Sequence, residues 1–438
     1  LSSASKRCVV THGTSRRIIL KATKNNLRNI FAIVFAMAIL PLQAQLSRYK
    51  TKPLIDEIKT LQVIVDEDFM KLPVIDLEGN STLEISFDYL ADEQPWLCYR
   101  IIHCDAEWKA DNLSEMDYVD GFFPVRIENI KPSFNTFTAY YHFKILFPNE
   151  DIELKASGNY AVLIHPEGEE DNILAVATFS VSEQLLYAKG EVSANTDIDF
   201  HATHQQLNFD VTWSQTKLPY LDPINELRIF ARQNRRDETK REVKGPIRIE
   251  LGSVTFEHNR ALIFNAGNVF RRFEFVDEKY ASIGVEYIRY KAPYYIANLW
   301  TDTPRKESNF RYDETQFGNY LIRAARVSDT DTEADYFKAR FTLQAPQSFD
   351  AKGIFLTGKF TYGETTEEYR MNFDPVENIF WKDLILKQGA YNYMYLVGKD
   401  PSPLEGDFYE TKNEYDIYIY YHPNGALYDR LMGVATIR

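Results

Sequence analysis

Cysteine, histidine and long apolar runs are all scarce in this chain, and each scarcity removes a class of protein. Only 3 Cys occur among 438 residues, too few for a disulfide framework. The 8 His are scattered, and His201 and His204 are spaced wrongly for a helical i, i+4 metal pair. There is no phosphate-binding Walker loop, no Gly-x-Ser-x-Gly elbow, no His-Glu-x-x-His and no dinucleotide fingerprint. With no catalytic constellation and no cofactor motif, the chain reads as non-enzymatic. Its longest apolar run, 30–40, falls short of the roughly 20 residues that a transmembrane helix needs.

That run has the setting of an export signal. Lys21, Lys24 and Arg28 precede it, and Pro41-Leu42-Gln43-Ala44 follows, with a small residue placed for cleavage after Ala44. Residues 1–44 are therefore expected to be a leader, with the exported chain starting at 45. No Cys follows the cleavage region, which argues against a lipid anchor. The leader's seven charged residues are all basic, so its removal leaves the rest more acidic than the net charge of −13. Such a chain is a poor general binder of nucleic acid or anionic lipid, because both need clustered Lys and Arg.

What is abundant is aromatic. The sequence holds 28 Tyr and 29 Phe, and these suit pleated, half-buried surfaces. Apolar residues alternate with polar ones at Leu83–Tyr89, Tyr141–Phe147, Leu207–Trp213, Ile247–Leu251 and Tyr415–Tyr421. Period-2 patterns at short intervals, split by Gly, Pro, Asn and Asp, predict an all-β chain of tandem immunoglobulin- or fibronectin-like antiparallel sandwiches. The element Gly-x-Tyr opens three predicted strands, at Gly158, Gly318 and Gly389. One copy per sandwich predicts three domains, 45–184, 185–345 and 346–438, with Ala345-Pro346-Gln347-Ser348 as a linker. Between two strands of the second lies a charged tip in which Arg235, Arg236, Lys240 and Arg241 form the most basic local patch, a candidate partner contact.

One stretch concentrates chemistry: Leu97-Cys98-Tyr99-Arg100-Ile101-Ile102-His103-Cys104-Asp105-Ala106-Glu107-Trp108. As a strand it separates the two thiols by about 20 Å, at roughly 3.3 Å per residue. A disulfide requires Cα atoms within about 7 Å, so only a bulge or chain reversal would permit one. His103 and Cys104 point to opposite faces and cannot act as a base–nucleophile pair. Core filling is the reading that remains for both thiols.

The same stretch opens a series of four islands. Gly121-Phe122 follows, then Ser133-Phe134-Asn135-Thr136 with Tyr140-Tyr141-His142-Phe143, then Ser157-Gly158-Asn159-Tyr160. In order and rough spacing they resemble the plug-protein family of the type IX secretion system. The matching positions are Cys98, Tyr99, His103, Cys104, Asp105, Trp108, Gly121, Asn135, Thr136, Tyr140, Gly158 and Tyr160, mainly structural in character. The resemblance implies a periplasmic, non-enzymatic β protein, peripheral to the inner face of the outer membrane and monomeric within a complex. It implies as partner a very large outer-membrane translocon β-barrel, whose periplasmic mouth the plug blocks when no substrate passes.

Residues 346–438 resemble a second group, the early-set sandwiches that include glycogen-binding modules, through Gly353–Phe360, Trp381 and Gly389–Tyr395. Tyr362 and Trp381 are the candidate sugar contacts on that reading. Gly363 falls roughly where the first aromatic belongs and Met394 replaces a Lys, departures that favour a structural role. The alternative function is a periplasmic carbohydrate-binding or carbohydrate-active protein.

Overall fold

The computed structural model describes residues 48–438, and the expected leader lies outside them. These residues form three β-sandwiches, each around its own apolar cluster. In the first, a four-stranded sheet ordered Ile58–Val65, Leu83–Tyr89, Tyr141–Phe147, Asn129–Pro132 faces a six-stranded one. At the centre of the larger sheet, Leu97–Cys104 pairs with Gly158–Pro166, which pairs with Ala175–Ser182. Alternation does what it predicts here: Leu83, Ile85 and Phe87 meet Leu97, Tyr99 and Ile101 in one core.

The other two sandwiches are not consecutive in sequence. Leu227–Gln233, in the second, pairs along its whole length with Tyr415–Tyr421, which pairs in turn with Arg430–Ile437. Ile417, Ile419 and Met432 fill the second core beside Leu207, Phe209 and Val211. The third sandwich is therefore an insertion, spanning roughly 268–405, inside the second. The linear boundary expected at 345/346 does not follow the sheets. Ala345 is 5% exposed in the third core rather than part of a linker. The error has a physical source: local periodicity identifies strands but is silent on which sheet each one joins.

The Gly-x-Tyr element also divides differently. Tyr320 and Tyr391 lie opposite each other in one sheet of the third sandwich, and the second sandwich has no copy. Tyr160 and Tyr391 each donate a hydroxyl hydrogen bond to the carbonyl four residues upstream, Ala156 and Lys387. Both thus pin their strand to the preceding corner. Tyr320 instead reaches toward Leu61 O of the first sandwich.

Short, hydrogen-bonded crossings join the sandwiches. Leaving the first, Glu183 N and Leu185 N donate to Leu431 O and Met432 O, so the chain enters the second already paired. Between second and third there are two crossings, near 267 and 407, and they bond to each other: Gly267 N donates to Asp407 and Phe408 N to Gly267 O. Two parallel connections restrict hinge motion far more than one. Among the described residues no helix is long and apolar enough to cross a membrane.

Deleting 411–438 is expected to unfold the second sandwich, since Tyr415, Ile417, Ile419, Leu431 and Met432 are each fully buried and such side chains contribute about 1.5–3 kcal/mol apiece. Limited proteolysis would then cut within 186–264. A shortened chain as resistant there as the full one would contradict the insertion topology.

Candidate functional site at the sandwich junctions

The strand Leu97–Cys104 is buried on both faces, and both cysteines are free thiols. Burial pushes the Cys104 thiol well up, helped by Asp111 and Asp105, and raises Cys98 as well. Neither is a ready thiolate. His103 is enclosed: Nδ1 meets the Asp111 carboxylate and Nε2 faces Ser157 O at 3.1 Å. Gly158, at φ +139°, passes so close to the His103 ring that a Cβ would overlap it. Gly121, at φ +148°, likewise passes against Asp151 O, where a side chain would collide. Tyr99 is core, its hydroxyl accepting from Asn149 Nδ2 at 3.2 Å.

The turn after this strand is a socket for the second sandwich. The Asp105 carboxylate accepts from Glu107 N and Lys109 N, which shapes the turn. Trp108, held at φ 67°, accepts from Tyr49 N through its carbonyl. Ala106 between them is fully buried, and the second sandwich takes both its backbone groups. Its N–H donates to Asp429 at 2.9 Å and its carbonyl accepts from Lys240 Nζ at 2.9 Å. Alongside, Asn159 donates to Asp105 O, and its own side-chain oxygen accepts from Ser180 and from Tyr420 of the second sandwich. Arg430 and Glu183 close the same junction as a bidentate pair.

Facing the third sandwich, the island 133–140 makes the matching contacts. Tyr140 donates its hydroxyl to Ala334 O at 2.8 Å, and Phe137 N and Thr138 N donate to Asp335. Thr136 donates to Thr138 O within the loop, while Asn135 turns it at φ 58° and stays exposed. Beneath the loop lies an ion pair with both side chains about 1% exposed, Asp88 of the first sandwich and Lys387 of the third, 2.7 Å apart. The same carboxylate meets His142 Nδ1 at 2.6 Å and accepts from Tyr336 at 2.7 Å. Lys387 also donates to Asp331 O at 2.8 Å and lies 4.3 Å from the centre of the Tyr140 ring. Burial by itself would raise the Asp88 carboxyl, but Lys387 and His142 outweigh it and hold it below the usual range.

Sequence reasoning missed Asp88, Lys387, Asn159 and Asp429. Asp88 follows Glu84 and Ser86 on the polar face of its strand, which alternation assigns to water. Only docking of the third sandwich buries that face.

The basic tip turns inward. Arg235 donates to Met70 O and to Glu414, Arg236 pairs with Glu238, and Arg241 donates to Ala261 O and Ile263 O. With Lys240 on Ala106, the tip read as a candidate partner contact is instead packed against the first sandwich and its own. The proposed sugar contacts fare similarly. Tyr362 is 9% exposed and accepts from Leu61 N. Trp381 lies under the Arg340 guanidinium, 5.2 Å from its ring centre.

The family profile described as Type 9 secretion system plug protein 1st domain matches residues 58–183. The crystal structure of a hypothetical protein from Parabacteroides merdae is 37% identical, with 89% of this chain and 99% of that chain covered and a TM-score of 0.86. The Pseudomonas fluorescens alkylpurine DNA glycosylase AlkC, bound to DNA containing an abasic site analog, aligns at 13% identity over 28% of this chain and 30% of that one. Its TM-score of 0.15 carries no structural argument. No curated protein matches the chain.

Replacing Lys387 by Met leaves the Asp88 carboxylate buried without its ammonium partner, with only His142 and Tyr336 against it, and should cost about 3–5 kcal/mol in denaturant unfolding at pH 7. Adding Asp88→Asn should recover part of that loss. Because the folded carboxyl titrates below its unfolded value, its contribution is complete above about pH 4 and lost as the pH falls further. A single variant as stable as the parent at pH 7 would show that the pair does not join the sandwiches.

Proposed function

Because the chain belongs to the type IX secretion system plug family, we propose that it docks on the periplasmic mouth of the outer-membrane translocon and seals it when no substrate passes. The observation that carries this reading is the match of the first sandwich to the family's 1st domain. The mechanical demands of a plug support it. A plug must be broad and must not yield to pressure from one side, and here buried polar contacts, two of them made by the family's islands, clamp the first sandwich to both others. Such a body moves as one piece, so release requires breaking only the outer contact.

For that contact the second sandwich offers an uncovered edge. The edge strand Arg248–Glu250 is exposed on both faces, and Ile247, Ile249 and Leu251 beside it are 59%, 47% and 88% exposed. Unpaired edge groups flanked by apolar side chains are what another protein's strand or loop can dock against. The carbohydrate alternative gains no support, since Tyr362 is buried and Trp381 is capped by an arginine.

Affinity capture from solubilised outer membrane should recover the translocon barrel with this protein. Cells lacking it should become permeable to dyes that the sealed channel excludes. Ile249→Lys with Leu251→Lys should reduce barrel capture at least tenfold without altering thermal unfolding. Unchanged permeability together with no barrel in the capture would overturn the plug reading, whereas full capture by the double variant would move only the contact elsewhere.

A further inference from the structure

Where the three sandwiches meet, their surfaces do not close on each other. They leave a cavity of about 500 Å³, within the range of roughly 300–1,000 Å³ usual for small-molecule sites. Its lining is the reverse of the chain's overall charge. Eight Lys or Arg side chains line it against four Asp or Glu, in a sequence of net charge −13.

Most of these cations are neutralised in place. Arg232 pairs with Asp237 and Asp416, Arg235 with Glu414 and Arg236 with Glu238. Two lysines are not. Lys240 has only the Ala106 carbonyl and the face of Phe230, 4.2 Å away. Lys359 sits on a short turn of the third sandwich, faces the cavity, and makes no ion pair or side-chain hydrogen bond among the described residues. Lys240 faces Arg232, Asp237, Arg48 and Glu107, and Lys359 faces Arg232, Asp237, Arg235 and Lys50. Burial, then repulsion from Arg232, pushes the Lys240 amine down to about 8, whereas Lys359 stays exposed to solvent where it lines the cavity. Two ammonium groups without a paired carboxylate, contributed by different sandwiches and lining one space, leave it electropositive until something negative enters it. Tyr418, Phe230 and Phe317 add apolar walls.

We propose that this cavity is a binding site for a small multivalent anion bearing phosphate or carboxylate groups, held chiefly by Lys240 and Lys359. The anion takes the place of the missing counter-charge and bridges the second and third sandwiches. Occupancy therefore stiffens the body from within. This site is independent of the channel contact, and either stands if the other fails.

The test is titration calorimetry on the purified protein with inorganic pyrophosphate in one arm and citrate in the other. Saturable binding of at least one probe is expected, at about one per chain, and the preferred probe tells phosphate from carboxylate chemistry. At pH 8 to 8.5 Lys240 is partly deprotonated in the empty cavity, and an anion favours its charged form. Binding should then take up protons, read as a difference in heat between two buffers of unlike ionisation enthalpy, and should weaken as the pH rises further. Lys359→Met should bind at least tenfold more weakly, yet raise the melting temperature of the empty protein by removing repulsion. A merely structural lysine would show neither. Lys240→Met should weaken binding similarly, but loses a junction contact, so Lys359→Met decides the case if it folds poorly. Lys399→Met, on the exposed surface, should bind as the parent does. Absence of saturable binding by both probes would overturn the proposal, as would binding that Lys359→Met leaves unchanged.

Discussion

The arrangement of the three sandwiches depends first on one buried charge pair, Asp88 with Lys387. Two groups that water would solvate strongly are held where water is excluded, and each is tolerable only while the other is present. Such a pair contributes little net stability compared with apolar side chains of the same size. What it does impose is position. A shift of the third sandwich by one residue along the first would separate the charges and strand both. His142 and Tyr336 bond the carboxylate, the Asp331 carbonyl accepts from the ammonium, and the Tyr140 ring lies against it.

The junction with the second sandwich follows the same rule with weaker components. Backbone groups of Ala106 and the side chain of Asn159 are buried, so each must find a partner, and the partners come from across the junction. Polar junctions of this kind are directional where apolar ones slide. Together with the double crossing between second and third sandwiches, they fix all three bodies relative to one another. The cavity at the junction is a consequence. Convex sandwiches held by contacts at their rims cannot also fill the space among them, and cations contributed by the second and third sandwiches project into it.

The residues by which the first domain resembles its family do structural work. Gly158 and Gly121 allow close approach of backbone, His103 and Tyr160 fill and pin the core, and Asp105 and Tyr140 present the sockets.

The sequence by itself determined the all-β class, most of the strands and their core faces, because alternation is a local property and one sheet face must be apolar. It also determined that Cys98 and Cys104 stand apart and that His103 turns away from Cys104, since both follow from strand geometry alone. Only the tertiary structure decided which strands share a sheet. The pairing of Tyr415–Tyr421 with Leu227–Gln233 spans nearly two hundred residues and leaves no local trace. It decided, too, that the polar face bearing Asp88 is interior and that the basic tip around Arg235 is a junction rather than a surface. In each case a residue's local pattern is the same whether its outward face meets water or another sandwich, and the docking of neighbouring domains alone makes that choice.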